Sequence, residues 1–152
     1  MQVRFMRLAA TAAFALVLSA CGASQTSSAA GVNVGTTSTS LGTFLVGPDG
    51  KTLYLFEADT PATSTCASGC AQGWPPLTTN GSPVAGSGVS QSLLSTSHRA
   101  DGSLQVVYNG HPLYYYVGDT KAGDTNGEGS TAFGAGWDVV SAAGAKIEKP
   151  GG

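Results

Sequence analysis

Charge is scarce in this 152-residue chain: seven Lys and Arg and nine Asp and Glu make up only 11% of it. With so few cations and a net charge of −2, no basic face can form to track a phosphate backbone, so nucleic acid is not an expected partner. Histidine is nearly absent too. His98 and His111 stand alone among strand-like residues, and neither a haem-attachment motif nor a Ser-His-Asp arrangement can be read from them. The only methionines, Met1 and Met6, lie at the very start, which leaves no thioether further on for a soft-metal site. No apolar run is long enough to span a bilayer. The longest, Leu8 to Leu18 with Thr11 as its one polar member, would rise about 16 Å as a helix against a hydrocarbon core of about 30 Å.

That run follows Arg4 and Arg7 and ends in small residues, the layout of an export signal. Its last residues, Leu18-Ser19-Ala20-Cys21-Gly22, resemble the lipobox of bacterial lipoproteins. The resemblance implies cleavage before Cys21 and acylation of its thiol. Several acyl chains would hold the protein stably on a membrane, where a single chain binds only marginally. A plain secretory signal with an incidental Cys21 is the alternative. Removal of residues 1–20 takes two of the seven basic residues, leaving five against nine acidic ones and a net charge of −4. The expected location is the extracytoplasmic face of a membrane, at the cell surface or in the periplasm, with the membrane as partner through the anchor.

From Gly22 to about Leu41 the chain is mostly Ser, Thr, Ala and Gly, with no charge, no aromatic residue and only two Val. So little apolar surface cannot offset the entropy of ordering, and residues 21–41 read as the lipidated Cys21 and a flexible tether spanning about 25 Å. Residues 42–145 are enough for one modest domain, with 146–152 as a tail. Strand signals dominate it. Phe44 to Val46 and Thr52 to Glu57 flank Pro48-Asp49-Gly50; Leu104 to Tyr108 and His111 to Val117 flank Asn109-Gly110; Trp137 to Ser141 forms a last strand. The two-residue loop would pair Tyr108 with His111, Val107 with Pro112, Val106 with Leu113 and Gln105 with Tyr114, on an edge or a bulge at Pro112. It would also put Leu104, Val106, Tyr108, His111, Leu113, Tyr115 and Val117 on one face and Val107, Tyr114 and Tyr116 on the other. Short helices are expected over Cys66 to Gln72 and Ser90 to Leu94.

The chain also repeats itself. At an offset of 60, Gly50, Leu53, Tyr54, Phe56, Asp59, Thr60 and Ala62 fall on Gly110, Leu113, Tyr114, Tyr116, Asp119, Thr120 and Ala122, and Gly73-Trp74 matches Gly136-Trp137 at an offset of 63. Repeat one covers about 42–85 and repeat two about 97–142. These residues resemble a family of secreted-repeat bacterial lipoproteins recognised by a Tyr-x-(Phe/Trp/Tyr)-x-x-Asp motif, which occurs in tandem behind a lipobox. The stretches Cys66 to Leu77, Arg99 to Gly102 and Gly118 to Gly127 strengthen the likeness. No activity is established for that family, so the resemblance implies an address and a fold and no reaction. The expected fold is all-β: a small antiparallel sandwich or barrel of two pseudo-symmetric repeats, since neither hairpin can bury its apolar face alone.

Several residues invite chemistry. Tyr54, Phe56, Tyr114 and Tyr116, with Trp74 and Trp137, read first as a shared core across the pseudo-two-fold and second as the lining of a ligand groove. Asp59 and Asp119 read as acceptors for backbone N–H groups at strand ends before they read as acid–base catalysts. Cys66 and Cys70, i and i+4, lie within disulfide reach if the segment is helical, in an oxidising compartment. Copper or redox use would want a βαβ pattern that is missing. Asp124, Asn126 and Glu128 with Gly129 resemble the front half of a calcium loop, yet its twelfth position is Ala135, so a Gly-rich loop held by its own side chains is the plainer reading. The leading functional expectation is a non-enzymatic envelope module with an unidentified ligand or protein partner and no cofactor. A metal or redox protein using Cys66 and Cys70 or the Asp124 loop, and an extracytoplasmic hydrolase, are the alternatives.

Overall fold

The computed structural model describes residues 29–149; the signal segment, Cys21 and the first part of the expected tether lie outside the described residues. Along the chain run β1 (Asn33–Thr39), β2 (Gly42–Val46), β3 (Tyr54–Phe56), the one-turn helix α1 (Gly69–Gly73) and β4 (Val84–Ala85). A 3-10 turn (Gln91–Leu93) then leads into β5 (Leu94–His98), β6 (Leu104–Tyr108), β7 (His111–Pro112), β8 (Trp137–Val140) and β9 (Lys146–Ile147). The chain is β-dominant as expected, in three-stranded sheets ordered β2-β1-β4, β3-β8-β9 and β5-β6-β7. The arrangement is compatible with a sandwich, and none of the sheets closes into a barrel.

Each repeat opens with an antiparallel hairpin, β1 with β2 and β5 with β6. Among the described residues the first strand therefore begins at Asn33, inside the segment that composition assigns to a tether. Thr36, Thr37 and Thr39 are β-branched and suit a pleated surface despite their polarity, and Val34 is fully buried. Ser38 and Thr43 share a hydroxyl hydrogen bond of 2.7 Å across the hairpin. At the other end, β9 pairs with β8 through Ile147 opposite Val139, so residues 146–147 belong to the fold and not to a tail.

The Asn109-Gly110 turn forms as its chemistry dictates. Both residues take positive φ, 47° and 81°, the conformation that a two-residue hairpin loop requires and that Asn and Gly tolerate. Tyr108 then faces His111 and Val107 faces Pro112. Pro112 lies on the outer strand of its sheet, where a missing N–H breaks no ladder. Beyond it the expected register fails. Leu113 still donates to the Val106 carbonyl at 2.9 Å, but Gln105 bridges to Thr78 and Tyr114 bridges to Tyr54 and Pro76. The segment after Trp74 inserts between the two, so the strand expected to reach Val117 leaves β6 early.

At the centre, Tyr54 and Tyr114 exchange backbone hydrogen bonds of 2.8 and 3.0 Å, which places the pseudo-two-fold axis between them. On one flank β3 pairs with β8, Phe56 opposite Trp137. On the other, Val117 donates to Gly73 (3.1 Å) and Leu77 to Leu113 (2.9 Å), matching Glu57 to Gly136 (2.9 Å) and Val140 to Leu53 (3.2 Å). The motif strand of each repeat thus pairs with the Trp strand of the other: the copies are interleaved. Alternation along these strands builds two cores. Tyr54, Phe56, Tyr114, Trp137 and Val139 enter one; Leu53, Leu55, Leu113, Val106, Tyr108 and Val140 enter the other. Of the two faces foreseen for the second hairpin, Val106, Tyr108, Leu113 and Tyr115 join the second core and Tyr114 and Tyr116 the first, Leu104 and His111 stay half-buried, and Val117 is 58% exposed because it lies past the end of the ribbon.

Candidate functional site

The motif aromatics form one stack. Phe56 lies on Trp137 (centroids 4.2 Å apart), Trp137 on Trp74 (3.9 Å), and Trp74 on Tyr116 (4.4 Å). Tyr54 meets Trp74 edge-on at 5.3 Å and Tyr114 meets Trp137 edge-on at 5.2 Å, the arrangement that ring quadrupoles favour. The two copies exchange partners here as in the backbone. The second aromatic of each motif lies on the Trp of the other repeat.

Their aspartates cross over in the same way. The Tyr54 hydroxyl donates to Asp119 Oδ2 and the Tyr114 hydroxyl to Asp59 Oδ2, each at 2.6 Å. The second oxygen of each carboxylate closes its own loop: Asp59 Oδ1 accepts the Thr65 N–H (2.7 Å) and Asp119 Oδ1 the Asn126 N–H (2.9 Å). The backbone-acceptor role read from the sequence is present, with a tyrosine of the other repeat added to it. Burial, reinforced by the neighbouring carboxylate, pushes both tyrosine hydroxyls far above their ordinary range. Burial also raises the Asp119 carboxyl, although Tyr54 and Asn126 pull it down.

Away from this core, a groove of about 520 Å³ lies beside β8 and β9, lined by Glu57, Glu128, Asp138, Lys146, Glu148 and Lys149 among others. Lys146 Nζ donates to Glu57 Oε1 and Glu148 Oε1, both at 2.8 Å. The Lys146 contact holds the Glu57 carboxyl below its usual range. Asp138, opposite Leu55 on β8, is 7% exposed and its Oδ2 has no hydrogen-bond partner. Burial, with the charge of Glu57 nearby, raises its carboxyl.

A family model described as a secreted repeat of unknown function matches residues 35–78 and 95–141. The chain belongs to that family. The two matched spans each run from an opening hairpin through the motif strand to the Trp strand, so one match is one interleaved unit of this secreted-repeat protein. No curated protein and no solved structure matches it. Among the described residues, no helix is long and apolar enough to cross a membrane.

In the first repeat, Cys66 and Cys70 form a disulfide with Cα atoms 5.2 Å apart. The helix there is shorter than expected: it starts at Gly69, so Cys66 precedes it. Arg99, quoted above only as part of a family-like stretch, proves to be a clamp on this loop. Its guanidinium is buried and donates to Cys66 O (2.6 Å), Ser64 Oγ (2.8 Å) and Gln105 Oε1 (2.7 Å), tying the cysteine loop to β6 of the second repeat. Replacing both cysteines by Ala is expected to lower stability by about 2 kcal/mol, the chain-entropy value for so short a loop. An unchanged urea midpoint for the double variant would remove the bridge from the list of stabilising elements.

The Asp124 loop of the second repeat is held by its own side chains. Asp124 Oδ2 accepts the N–H groups of Thr120 (3.0 Å) and Lys121 (2.9 Å), Asn126 Nδ2 donates to Gly118 O (3.2 Å), and Glu128 Oε2 accepts the Val139 N–H at 2.7 Å. The three residues that suggested a calcium loop therefore serve three separate stretches of backbone. Among the described residues, no three of His, Cys, Asp and Glu converge in a way that would hold a metal. Glu57 and Lys146 carry no signal in the sequence, because Glu57 lies a repeat away from Asp138 and Lys146 falls in the expected tail. His98 is exposed and His111 half-buried.

Proposed function

We propose that this secreted-repeat protein is a lipid-anchored, non-enzymatic binding module on the extracytoplasmic face of the cell envelope. The observation that carries the non-enzymatic part is the reciprocal bonding of the motif. Tyr54, Asp119, Tyr114 and Asp59, the residues with the look of acid–base chemistry, donate to and accept from one another inside the interleaved core. General acid–base catalysis needs a group within hydrogen-bond reach of a substrate proton, and these groups face each other. The motif is architectural on this reading, and recognition falls to the surface grooves that differ between the two repeats.

The anchor rests on the lipobox-like Leu18 to Cys21 segment behind an export signal. Cells fed an alkyne-tagged palmitate are expected to label the wild-type protein and to hold it in the membrane fraction. Cys21→Ser should abolish the label and release the protein to the soluble fraction. Wild-type protein without label would leave only plain secretion. For the binding role, a thermal-shift screen of envelope components against the purified protein is the direct measurement, and a blank across every ligand class would overturn it.

A further inference from the structure

Because the two repeats share their backbone pairing about the pseudo-two-fold, the positions lining one groove have counterparts on the other side, and the two sets have diverged. By the offsets of 60 and 63, Glu57 corresponds to Val117, Leu55 to Tyr115 and Asp138 to Pro75. Pro75, Tyr115 and Val117 line a smaller cleft of about 290 Å³ on the other side of the pseudo-two-fold. One copy of the fold thus forms with Pro and Val at the positions where the other carries two carboxylates. The acidic pair is dispensable for the architecture.

Asp138 is costly where it stands. It projects from a strand that is paired on both sides, its residue is 7% exposed, and Oδ2 lacks any donor. A buried acceptor left unpaired loses its hydration with nothing in return. Around it the groove carries four carboxylates, Glu57, Glu128, Asp138 and Glu148, against two ammonium groups, Lys146 and Lys149. The chain itself shows which cation suits these walls: the Lys146 ammonium already sits between Glu57 and Glu148 at 2.8 Å from each. A bare metal ion fits less well, since no three acidic groups converge on one point among the described residues.

We propose that the groove beside Glu57 and Asp138 binds a primary ammonium group on a flexible alkyl chain, which supplies the donor that Asp138 Oδ2 lacks. Such a group is carried by a free polyamine or by a lysine-type side chain of an envelope peptide. The inference deepens the binding-module reading and rests on it.

Calorimetric titration of the purified protein with 1,5-diaminopentane, spermidine, an Nα-acetyl-lysine amide and calcium chloride tests it. Saturable binding of at least one amine is expected, weakened at least tenfold by Asp138→Asn and by Glu57→Gln, and unaffected by Asp124→Asn. Lys146→Met, which frees Glu57 and Glu148 of their internal ammonium, should bind the amine more tightly. The polyamine and lysine arms identify the source. Calcium binding without amine binding, amine binding indifferent to both Asp138→Asn and Glu57→Gln, or no amine binding overturns the site. If the amines fail while another envelope ligand shifts the melting temperature, the ammonium site alone falls and the binding module stands.

Discussion

Trp137→Ala is expected to lower the unfolding free energy by about 3–5 kcal/mol, the usual cost of deleting a large buried aromatic. Trp137 is fully buried, lies between Phe56 and Trp74 in the ring stack, meets Tyr114 edge-on, and donates from Nε1 to the Ala132 carbonyl at 2.9 Å. Small domains are stable by only about 5–15 kcal/mol in all, so this one substitution removes a large share and brings the midpoint of urea unfolding down steeply. Trp74→Ala should cost a similar amount, as its pseudo-symmetric counterpart. Because the two indoles stack on each other, the double variant should cost less than the two single losses combined. A loss below about 1 kcal/mol for Trp137→Ala would mean that the stack is not what holds the repeats together.

Asp119→Ala is the second large effect, with an expected loss of about 3 kcal/mol, because it leaves the buried Tyr54 hydroxyl without its acceptor and opens the loop that the part-buried Asn126 N–H closes. A double-mutant cycle with Tyr54→Phe should return a coupling of about 1.5–3 kcal/mol, the range for a hydrogen bond to a charged group. The twin cycle, Asp59→Ala with Tyr114→Phe, should return less: Asp59 is half-buried, and the Tyr114 hydroxyl keeps Ser64 at 2.6 Å as a second partner. Coupling equal in both pairs, or absent from the first, would sink this account of the motif.

The same residue makes a pH signature. The folded-state carboxyl of Asp119 is raised, mainly by burial, so the folded protein holds that proton more tightly than the unfolded chain does. Stability from this group is complete below the unfolded value and is lost as pH rises through the raised one. Asp119→Asn should therefore remove that part of the fall in melting temperature between acidic and neutral pH.

Much of this was readable along the chain because it is local. The turn at Asn109-Gly110 depends on two residues and their tolerance of positive φ, and a five-residue Cys spacing depends on reach alone. Tyr54 and Phe56, two residues apart, share one face of a strand, and the structure buries that face in one core and the Leu53 and Leu55 face in the other. The strand Asn33–Thr39 escaped detection because its Ser and Thr residues look like linker composition, and what orders them is the partner strand. The groove escaped because Glu57, Asp138 and Lys146 are brought together only by the pairing of β3, β8 and β9.

By itself the sequence determined the export address, the duplication, the β character, the hairpin turns and the set of rings that would be buried, all of which follow from hydropathy, spacing and backbone preference over a few residues. Only the tertiary structure decided that the repeats interleave, that Tyr54 answers to Asp119 across 65 residues of chain, and that one acidic side chain is left buried without a donor. Those outcomes are set by which distant strands pair. Every copy of a repeated motif offers the same local chemistry to itself and to its twin, so the choice between them is made by global packing.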